Sequence, residues 1–290
     1  MRHADCKTSF LVREKRSGFS RGTTLCCAIL FLGFASRLAA SDDDVTKLSI
    51  KIATYNIAGA NPAFYGDPRT QIEAIADFVA VNQIDVIGLQ EVDNGARRHK
   101  GLDVLKFLKK ALWARGWGML GVYTARFKVN GGTMGNAILS RYQLSKATAH
   151  RFRKTGLAQS AIVDFRGFQV RVVNFHPLPG WTACPNHDQL AKMLTEDLEQ
   201  PTVLVGDFNA TLAGGCLATT LSYYRDACTE AGGGNCMDTV DGTYHDAPEL
   251  AVDFVMVKDA AYWQVITADS PRDVGASDHY PVIATIELSP

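Results

Sequence analysis

Val203-Leu-Val-Gly-Asp207-Phe-Asn209-Ala is the segment that says most about how this chain folds. Its continuous apolar start predicts a strand that is covered on both faces. Gly206 would allow a tight exit from that strand. Asp207 and Asn209 are two residues apart, so an extended backbone would point both side chains to the same side. A carboxylate and an amide placed together suit a hard cation or a phosphate-bound water, although local turn hydrogen bonds would explain the same pair.

The first forty residues have the composition of a targeting segment. Residues 1–24 carry six Lys/Arg, and an apolar run of 11 residues follows at Leu25–Ala35. Small residues then precede an acidic stretch, which is the order found in secretory signals. The run is shorter than the roughly 20 residues that a membrane span needs. We expect a signal peptide over residues 1–40, cleaved after Ala35 or Ala40, with an uncleaved signal anchor as the alternative.

The expected mature chain is acidic. Residues 41–290 carry 23 Lys/Arg and 28 Asp/Glu, a net charge of −5. This balance weakens the case for tight nonspecific nucleic-acid binding. With no linker or low-complexity run after residue 48, residues 41–290 are expected to form one domain, without a transmembrane segment. The leader predicts a secreted or periplasmic protein.

Four cysteines remain in the expected mature chain, at positions 184, 216, 228 and 236. An even number in an exported chain predicts two disulfides, and three pairings are open. There is no Cys-x-x-Cys pair to support a zinc site. We favour Cys228–Cys236 with Cys184–Cys216, because neighbouring loops are the easiest to join.

The order of elements predicts a mixed α/β domain. Leu48–Tyr55 alternates and is rich in β-formers, and the pattern of Thr70–Val79 predicts a helix with Thr70 as N-cap. Asp85–Val92 is the next strand, so the order strand, helix, strand indicates an α/β unit. A glycine-rich turn is expected over Asn130–Gly135, and one short helix over Thr219–Ala227.

Polar and ionisable residues stand at the ends of five predicted strands. They are Asn56, Glu91, His176, the pair Asp207 and Asn209, and the pair Asp278 and His279. Functional groups gather where loops converge over the edge of a sheet. Turn or cap chemistry could explain each residue singly, but five coincidences together are far less expected.

The chemistry of this set favours a hard cation. Two histidines could suggest zinc, but the excess of carboxylate and amide oxygens suits Mg²⁺, with Mn²⁺ as an alternative. His176 and His279 could hold phosphate oxygens or move protons near neutral pH. An aspartate behind a histidine fixes its tautomer, and Asp253 is the best candidate for that role toward His279.

The motifs taken in order resemble those of the endonuclease/exonuclease/phosphatase superfamily, over about residues 48–288. They are Thr-Tyr-Asn56, Leu-Gln-Glu91, Gly135-Asn136-Ala-Ile-Leu-Ser, Asn-Phe-His176, Gly-Asp207-Phe-Asn209, Val-Asp253-Phe-Val and Ser-Asp278-His279. The resemblance implies a four-layer α/β/β/α sandwich of two packed mixed β-sheets. It also implies Mg²⁺-dependent hydrolysis of a phosphate ester by an activated water.

Roles for individual residues follow from the resemblance. Glu91 would be the main metal ligand, with Asn56 and Asp278 beside it. Asp207 and Asn209 would position water and phosphate. His279 paired with Asp253 would be the general base, and His176 would bind phosphate or protonate the leaving oxygen. Asn136 would line the phosphate site. Apart from the metal ligands, the residues that receive a role are, in sequence order, Asn136, His176, Asp207, Asn209, Asp253 and His279.

Two features bear on the branch of the superfamily. The branch of the AP endonucleases has an acid two residues after the strand-one asparagine, where this chain has Ala58, and it lacks a histidine like His176. The leader-bearing form is most similar to secreted bacterial metal-dependent hydrolases. The loop residues Trp181, Phe64 and Tyr65 could contact a substrate or simply pack.

We therefore expect a monomeric, exported phosphoesterase acting on a phosphodiester or phosphomonoester of a lipid, a small molecule or a nucleic acid. A secreted nuclease acting on DNA or RNA is the alternative, which the acidic charge of residues 41–290 disfavours. A catalytically silent binding protein on the same fold is a third interpretation, and the intact set from Asn56 to His279 argues against it.

Overall fold

The computed structural model describes residues 47–61, 66–152, 156–178, 183–196, 199–233, 236, 250–258 and 260–289. The predicted signal segment lies outside the described residues. So do Trp181, Phe64 and Tyr65, the three aromatic residues for which a substrate contact was considered.

Two six-stranded mixed sheets form the centre of the fold. Within the described residues the strands are β1 Leu48–Asn56, β2 Val86–Asn94, β3 Leu120–Val129, β4 Gly132–Ser140, β5 Gln143–Arg151, β6 Leu157–Phe165, β7 Phe168–His176, β8 Thr202–Asp207, β9 Tyr224–Asp226, β10 Asp253–Lys258, β11 Trp263–Asp269 and β12 Val282–Leu288. Sheet A has the order β11-β12-β1-β2-β4-β3, and sheet B has the order β5-β6-β7-β8-β10-β9.

Five α-helices accompany these strands in the described part of the chain. They are α1 Pro68–Val81, α2 Val104–Ala114, α3 Ala183–Thr195, α4 Ala218–Leu221 and α5 Ala227–Glu230. Short 3-10 helices occur at Ala58–Ala60, Arg97–His99 and Leu212–Gly214. In the described residues, no helix has the length and apolarity that crossing a membrane requires.

The apolar strands are continuous because both of their faces are buried. Val203 and Val205 of β8 pack between the sheets, together with Ile50 and Ile52 of β1. Leu204 points the other way, into an apolar cluster shared with α3. Burying each such side chain contributes about 1.5–3 kcal/mol to folding. The prediction of a strand covered on both faces is confirmed.

The helices cover the outer faces of the sheets. Ile72 and Ile75 of α1 and Leu108 and Leu112 of α2 pack in one cluster with Leu89 and other residues of sheet A. On the other side, α3 packs against sheet B through Leu190 and Leu194. The order helices, sheet A, sheet B, helices is the predicted four-layer α/β/β/α sandwich.

The N-cap predicted for α1 is wrong by three residues. The carboxylate of Asp67, not the hydroxyl of Thr70, caps the helix: its Oδ2 accepts a hydrogen bond from the backbone N–H of Thr70 at 3.2 Å. Pro68 then occupies the first helical turn, where its missing N–H costs nothing.

The single short helix predicted over Thr219–Ala227 is also wrong. Two four-residue helices, α4 and α5, are separated by strand β9, which pairs with β10. Tyr224 is buried on β9, and Asp226 ends the strand by accepting the backbone N–H of Thr229 at 2.8 Å. Strand pairing and this N-cap therefore outweigh the local helix propensity.

The glycine-rich turn is shorter than predicted. Asn130 and Gly131, both at positive φ, form a two-residue hairpin turn, and β4 already begins at Gly132. Gly135 lies inside the strand, where a Cβ atom would stand 1.9 Å from the carbonyl oxygen of Thr124 on β3. This glycine is required by close approach of two backbones and not by a turn.

Gly206 is also required by the close approach of two backbones, and not by the predicted tight exit from the strand. The strand runs through it to Asp207. A Cβ atom on Gly206 would stand 2.0 Å from the carbonyl oxygen of Phe175 on the parallel neighbour β7. The glycine thus lets β7 and β8 lie side by side just before His176 and Asp207.

Gly206→Ala is expected to destabilise the protein by about 3 kcal/mol or more, the upper end of what overpacking costs, since backbone atoms must move. Urea unfolding measures the change. Gly121→Ala is the matched control, because a Cβ atom there has its nearest neighbours at the ordinary distance of 3.4 Å. The control should stay within about 1 kcal/mol of the unaltered protein. Equal losses in the two variants would contradict this explanation of Gly206.

Two disulfides have the predicted pairing. Cys184 at the start of α3 is joined to Cys216, with their Cα atoms 4.7 Å apart. Cys228 of α5 is joined to Cys236, with their Cα atoms 6.1 Å apart. The first of them ties α3 to the segment that follows β8.

Candidate active site

The polar strand ends meet because of the sheet topology. The parallel pair β1–β2 in sheet A and the parallel pair β7–β8 in sheet B each place two C-terminal ends side by side. Strands β12 and β10 run antiparallel to β1 and β8, so they begin at those same ends. The residues before or at the start of β10 and β12 therefore lie beside residues that end β1, β2, β7 and β8.

Glu91 occupies a β-bulge. Gln90 and Glu91 of β2 together face one residue of β4, because Leu89 pairs with Ala137 and Val92 already pairs with Gly135. Glu91 has φ 55°, which is unusual for a residue with a side chain. A bulge re-aims a side chain, and backbone strain of this kind occurs mainly where function requires it. The bulge places the Glu91 carboxylate over the edge of sheet A, one-third exposed.

Asn56 links the two sheets. Its Nδ2 donates to Asp207 Oδ2 at 3.0 Å and to Glu91 Oε1 at 3.4 Å. Its Oδ1 accepts the backbone N–H of Ala58 at 3.0 Å. The oxygen that a cation would need is thus bonded to the backbone, and the amide N–H groups face the carboxylates. In this arrangement the amide of Asn56 positions the two carboxylates, and its role as a metal ligand stays a prediction.

Asp207 and Asn209 come together through a turn and not through an extended backbone. Asn209 has φ 49°, and its backbone N–H donates to Asp207 Oδ1 at 2.8 Å. Its Nδ2 donates to the carbonyl of Pro177 at 3.1 Å and lies 3.4 Å from Asp207 Oδ2. The turn interpretation is confirmed, because the turn holds Asp207 and joins the loops after β7 and β8. The role of the pair toward a cation or a phosphate-bound water stays a prediction.

His279 is held by Asp253. The Nδ1 atom lies 2.8 Å from Asp253 Oδ2, which leaves Nε2 facing Asp207 Oδ2 at 3.8 Å. Burial lowers the pKa of His279, but the charges of Asp253 and Asp207 outweigh this effect and raise that pKa to about 10. The contact expected between Asp253 and His279 is present, and it aims Nε2 into the site.

His176 has the opposite electrostatics. Its Nε2 lies 3.5 Å from Asp207 Oδ2 and 4.0 Å from Glu91 Oε1. Burial lowers the pKa of His176 well below its usual value, and the positive charges of Arg126 and His279 lower it further. Burial, together with Asp253, raises the pKa of Asp207. Two histidines with pKa values shifted in opposite directions thus face one buried carboxylate, a pattern typical of acid–base sites.

Two sets of donor atoms could hold a cation. Asp207, Asp253 and His279 can place one donor atom each within 4.8 Å of one another. In that set, however, Asp253 Oδ2 and His279 Nδ1 are already bonded to each other. Burial raises the pKa of Glu91, and the charge of the half-buried Asp278 raises it further. Carboxylate oxygens whose negative charges repel each other suit a hard divalent cation, so Glu91 with Asp278 is the better candidate for the cation site.

A cavity of about 440 Å³ opens over these groups. Its polar lining is Asn56, Glu91, Arg126, His176, Asp207, Asn209, Asp278 and His279. Four apolar residues complete it: Phe127, Leu178, Leu250 and Val252. Asp253 stands behind His279, and Trp181 lies outside the described residues.

Arg126 is a site residue that the sequence interpretation missed. It is the extra residue of a second bulge, since Ala125 pairs with Gly135 and Phe127 with Met134. Burial lowers the pKa of Arg126 to about 10, against the charges of Glu91 and Asp207. An arginine flanked by apolar residues in an alternating strand could have indicated a functional residue. The bulge that turns Arg126 toward the site, however, cannot be seen in the alternation of apolar and polar residues.

Asn136 does not line the cavity, which corrects its predicted substrate contact. Its side chain is fully buried, and Nδ2 donates to the backbone carbonyl of Asn174 at 3.2 Å. Asn174 in turn donates to the carbonyls of Leu89 and Ala137, both at 2.9 Å, and accepts from Gln90 at 2.7 Å. These motif residues therefore form a polar network between the sheets, beneath the site.

His187 on α3 is a second residue that the sequence interpretation missed. Its Nε2 donates to the carbonyl of Phe208 at 2.9 Å, and its ring stacks on that of Phe208 at 5.8 Å. Burial lowers its pKa to about 4, so the ring is neutral at pH 7. His187 thereby supports the turn between Asp207 and Asn209 from below.

Comparisons with known proteins cover the part of the chain that forms this site. The model of the Endonuclease/Exonuclease/phosphatase family matches residues 53–279, which include every residue of the site. No curated protein matches the sequence.

Solved structures share the fold at low sequence identity. An endonuclease/exonuclease/phosphatase from Bacteroides vulgatus is 20% identical with TM-score 0.66, covering 83% of this chain and 99% of that one. A mannosyl-6-phosphatase from Bacteroides thetaiotaomicron is 18% identical with TM-score 0.66, covering 82% and 99%. A humanised TDP2 from D. rerio is 17% identical with TM-score 0.62, covering 82% and 98%. At these identities the likeness shows the fold alone.

Proposed function

We propose, since this chain belongs to the endonuclease/exonuclease/phosphatase family, that it is a metal-dependent hydrolase of phosphate esters. One observation carries the proposal for these residues. Asp207 Oδ2 lies 3.0 Å from Asn56 Nδ2, 3.5 Å from His176 Nε2 and 3.8 Å from His279 Nε2, at the wall of one cavity. Such convergence around a single carboxylate oxygen suits the activation of a water against phosphorus.

Glu91 and Asp278 would hold the metal, with Asn56 fixing the Glu91 carboxylate through its amide N–H. Mg²⁺ is proposed because the donors are oxygens, with Mn²⁺ as the alternative. The bound cation would supply charge neutralisation at the phosphoryl oxygens.

Asp207 and His279 would act together on the attacking water. Asp253 fixes the imidazole through Nδ1, so Nε2 is the atom available to the water or the phosphate. The buried carboxylate of Asp207 lies beside it and can take up the proton that the water loses, because burial raises its pKa, whereas His279 with a pKa of about 10 already carries a proton. Holding the water in line with the leaving oxygen is the larger part of such catalysis.

His176, Asn209 and Arg126 would complete the phosphate contacts. A neutral His176 can donate one N–H to a phosphate oxygen or to the leaving oxygen. The amide of Asn209 and the cation of Arg126 line the same cavity. Trp181, which follows β7 in sequence, remains proposed as a substrate contact.

The substrate class is open between a phosphorylated lipid or small molecule and a nucleic acid. Among proteins of the same fold, one is described as a mannosyl-6-phosphatase and another as TDP2. A catalytically silent binding protein is disfavoured, because strain at Glu91 and a buried carboxylate among histidines are costly to keep without a function.

A substrate panel tests the proposal. Bis-p-nitrophenyl phosphate, plasmid DNA, RNA, sphingomyelin and inositol phosphates are incubated with the purified protein and Mg²⁺, or with EDTA. Hydrolysis of at least one ester that EDTA abolishes is expected. No hydrolysis of any ester under either condition would favour the silent binding protein.

We propose further that the protein is exported and acts as a monomer. The two disulfides support export, since such bonds persist in oxidising compartments. Mass spectrometry of secreted or periplasmic material is expected to show a chain that starts near residue 36 or 41 and has no free thiol. An intact Met1 or four free thiols would contradict this expectation.

A further inference from the structure

Residues 94–151 concentrate positive charge that the net charge of the chain conceals. They contain twelve Lys/Arg and one acidic residue, Asp103. The rest of residues 41–290 contains eleven Lys/Arg and 27 Asp/Glu. A division of charge this strong creates a local positive field even though the whole chain is acidic.

Part of this charge lines a groove between the first turn of α1 and the segment from Arg97–His99 into α2, here called the α1–α2 groove. Its volume is about 1080 Å³, the largest of the cavities described. Five cations and one aromatic ring line it: Arg69, Arg98, Lys100, Lys106, Lys110 and Phe107. Lys106 and Lys110 are one helical turn apart, so they project from the same face of α2.

The groove keeps a net positive charge, because five cations face three carboxylates, Asp67, Asp93 and Asp103. Asp67 and Asp103 also cap a helix each by accepting a backbone N–H, at 3.2 Å and 2.9 Å respectively. Asp93 lies 2.6 Å from Arg98 and so holds one of the five cations. In the described part of the chain, the other four form no salt bridge.

The groove adjoins the candidate active site. A Cβ atom on Gly59 would stand 2.4 Å from Arg98 Nη2, so that guanidinium packs on the segment leaving β1. His99 Nε2 also contacts the carbonyl of Ala60, at 2.8 Å. Gly59 is three positions after Asn56, so their Cα atoms lie at most about 11 Å apart. One extended substrate can therefore reach both the groove and the cavity.

The groove is built to recognise charge and not bases. Phe107 is its aromatic residue, and the guanidinium of Arg69 lies 5.5 Å from the centroid of that ring. A ring that already carries a cation is a poor platform for stacking a base. Phosphate groups need only the cations, which favours a phosphorylated ligand over a recognised nucleic-acid sequence.

We propose that the α1–α2 groove binds a second phosphate group of the substrate, one that is not hydrolysed. This inference rests on the proposed function, because only an enzyme has a substrate. Binding of a phosphate in the groove, however, does not depend on catalysis. The enzyme would then prefer molecules that carry two or more phosphates, one held in the groove and one in the cavity of the candidate active site.

Binding of tripolyphosphate, measured by isothermal titration calorimetry in EDTA, tests the groove apart from metal and turnover. Lys106→Glu/Lys110→Glu should weaken binding by about tenfold or more, since two attractive charges become repulsive. Lys128→Glu/Lys146→Glu is the matched control: it makes the same change in net charge within residues 94–151, on two exposed lysines outside the groove. The control should change binding by less than about twofold, because distant surface charges are screened.

Three results would overturn the proposal: tripolyphosphate does not bind, the groove variant binds it as the unaltered chain does, or the control loses as much affinity. Binding of a single-stranded oligonucleotide without binding of tripolyphosphate would instead assign the groove to nucleic acid. Lys106→Gln/Lys110→Gln serves if the charge-reversed variant does not fold. The rate of hydrolysis of bis-p-nitrophenyl phosphate should stay within about twofold in the groove variant. This ester has one phosphate, so it makes no contact with the groove that the variant could remove. If no ester is hydrolysed, the proposed function fails while the titration still decides the groove.

Discussion

His279→Ala and Asp207→Ala are each expected to lower kcat for phosphoester hydrolysis by about 10²–10⁴-fold, the range that general acid–base catalysis supplies. The double variant should be scarcely worse than either single variant. Both side chains face the same point of the cavity, with His279 Nε2 at 3.8 Å from Asp207 Oδ2. Residues that act on one water are a unit, so their losses do not add.

Steady-state kinetics on bis-p-nitrophenyl phosphate with saturating Mg²⁺ measures these effects. His150→Ala is the matched control for histidine loss, because His150 bonds to Ser160 on β6 and lies outside the cavity. Losses that multiply in the double variant would contradict the shared water. An active His279→Ala beside an inactive His176→Ala would mean that the roles of the two histidines are exchanged.

Glu91→Gln is expected to lower activity by more than about 100-fold, because loss of a residue that only supports a metal ligand already lowers activity by up to about that factor. The Mg²⁺ concentration needed for the half-maximal rate should rise. Glutamine keeps the size of the side chain and can still accept the N–H of Asn56, so the fold should survive. What it lacks is the negative charge that a hard cation prefers.

The measurement is a Mg²⁺ titration of the rate, with circular dichroism to confirm folding. Glu287→Gln is the control, because Glu287 lies on β12 outside the cavity and pairs with Lys47. Near-normal turnover of Glu91→Gln with an unchanged Mg²⁺ requirement would contradict the assignment of Glu91 as a metal ligand.

Much of the fold could be predicted because its strands are marked by burial on both faces. Val203–Val205 of β8 is apolar throughout for that reason, and the chemistry-bearing residue follows at once as Asp207. Parallel pairing then brings His176 beside Asp207 without any further information. Residues that end apolar strands were therefore identified correctly as neighbours.

What could not be predicted depends on register and on bulges. The bulges at Glu91 and Arg126 lie on the two strands that flank β4, and period-two patterning cannot show an extra residue in a ladder. Asn136 lies opposite the first bulge, so its side chain points between the sheets and not into the cavity. The direction of a side chain near a bulge is decided by the neighbouring strand.

The net charge hides position in a related way. The value of −5 for residues 41–290 weakened the case for nucleic-acid binding and gave no sign of a basic groove, which Lys100, Lys106 and Lys110 line with Arg69. A sum over the chain discards position, whereas the field at a surface depends on which charges the fold brings together. A sliding count of charge would have located the segment but not the groove.

Hydrolysis of bis-p-nitrophenyl phosphate in ¹⁸O-enriched water is the most direct test of the central claim, which is that this cavity activates water for attack on phosphorus. Mass spectrometry of the p-nitrophenyl phosphate released should show one ¹⁸O per molecule. Its formation should require Mg²⁺ or Mn²⁺ and should fall sharply in Asp207→Ala. Product that carries no ¹⁸O, or the same labelled product at the same rate from Asp207→Ala, would contradict the account.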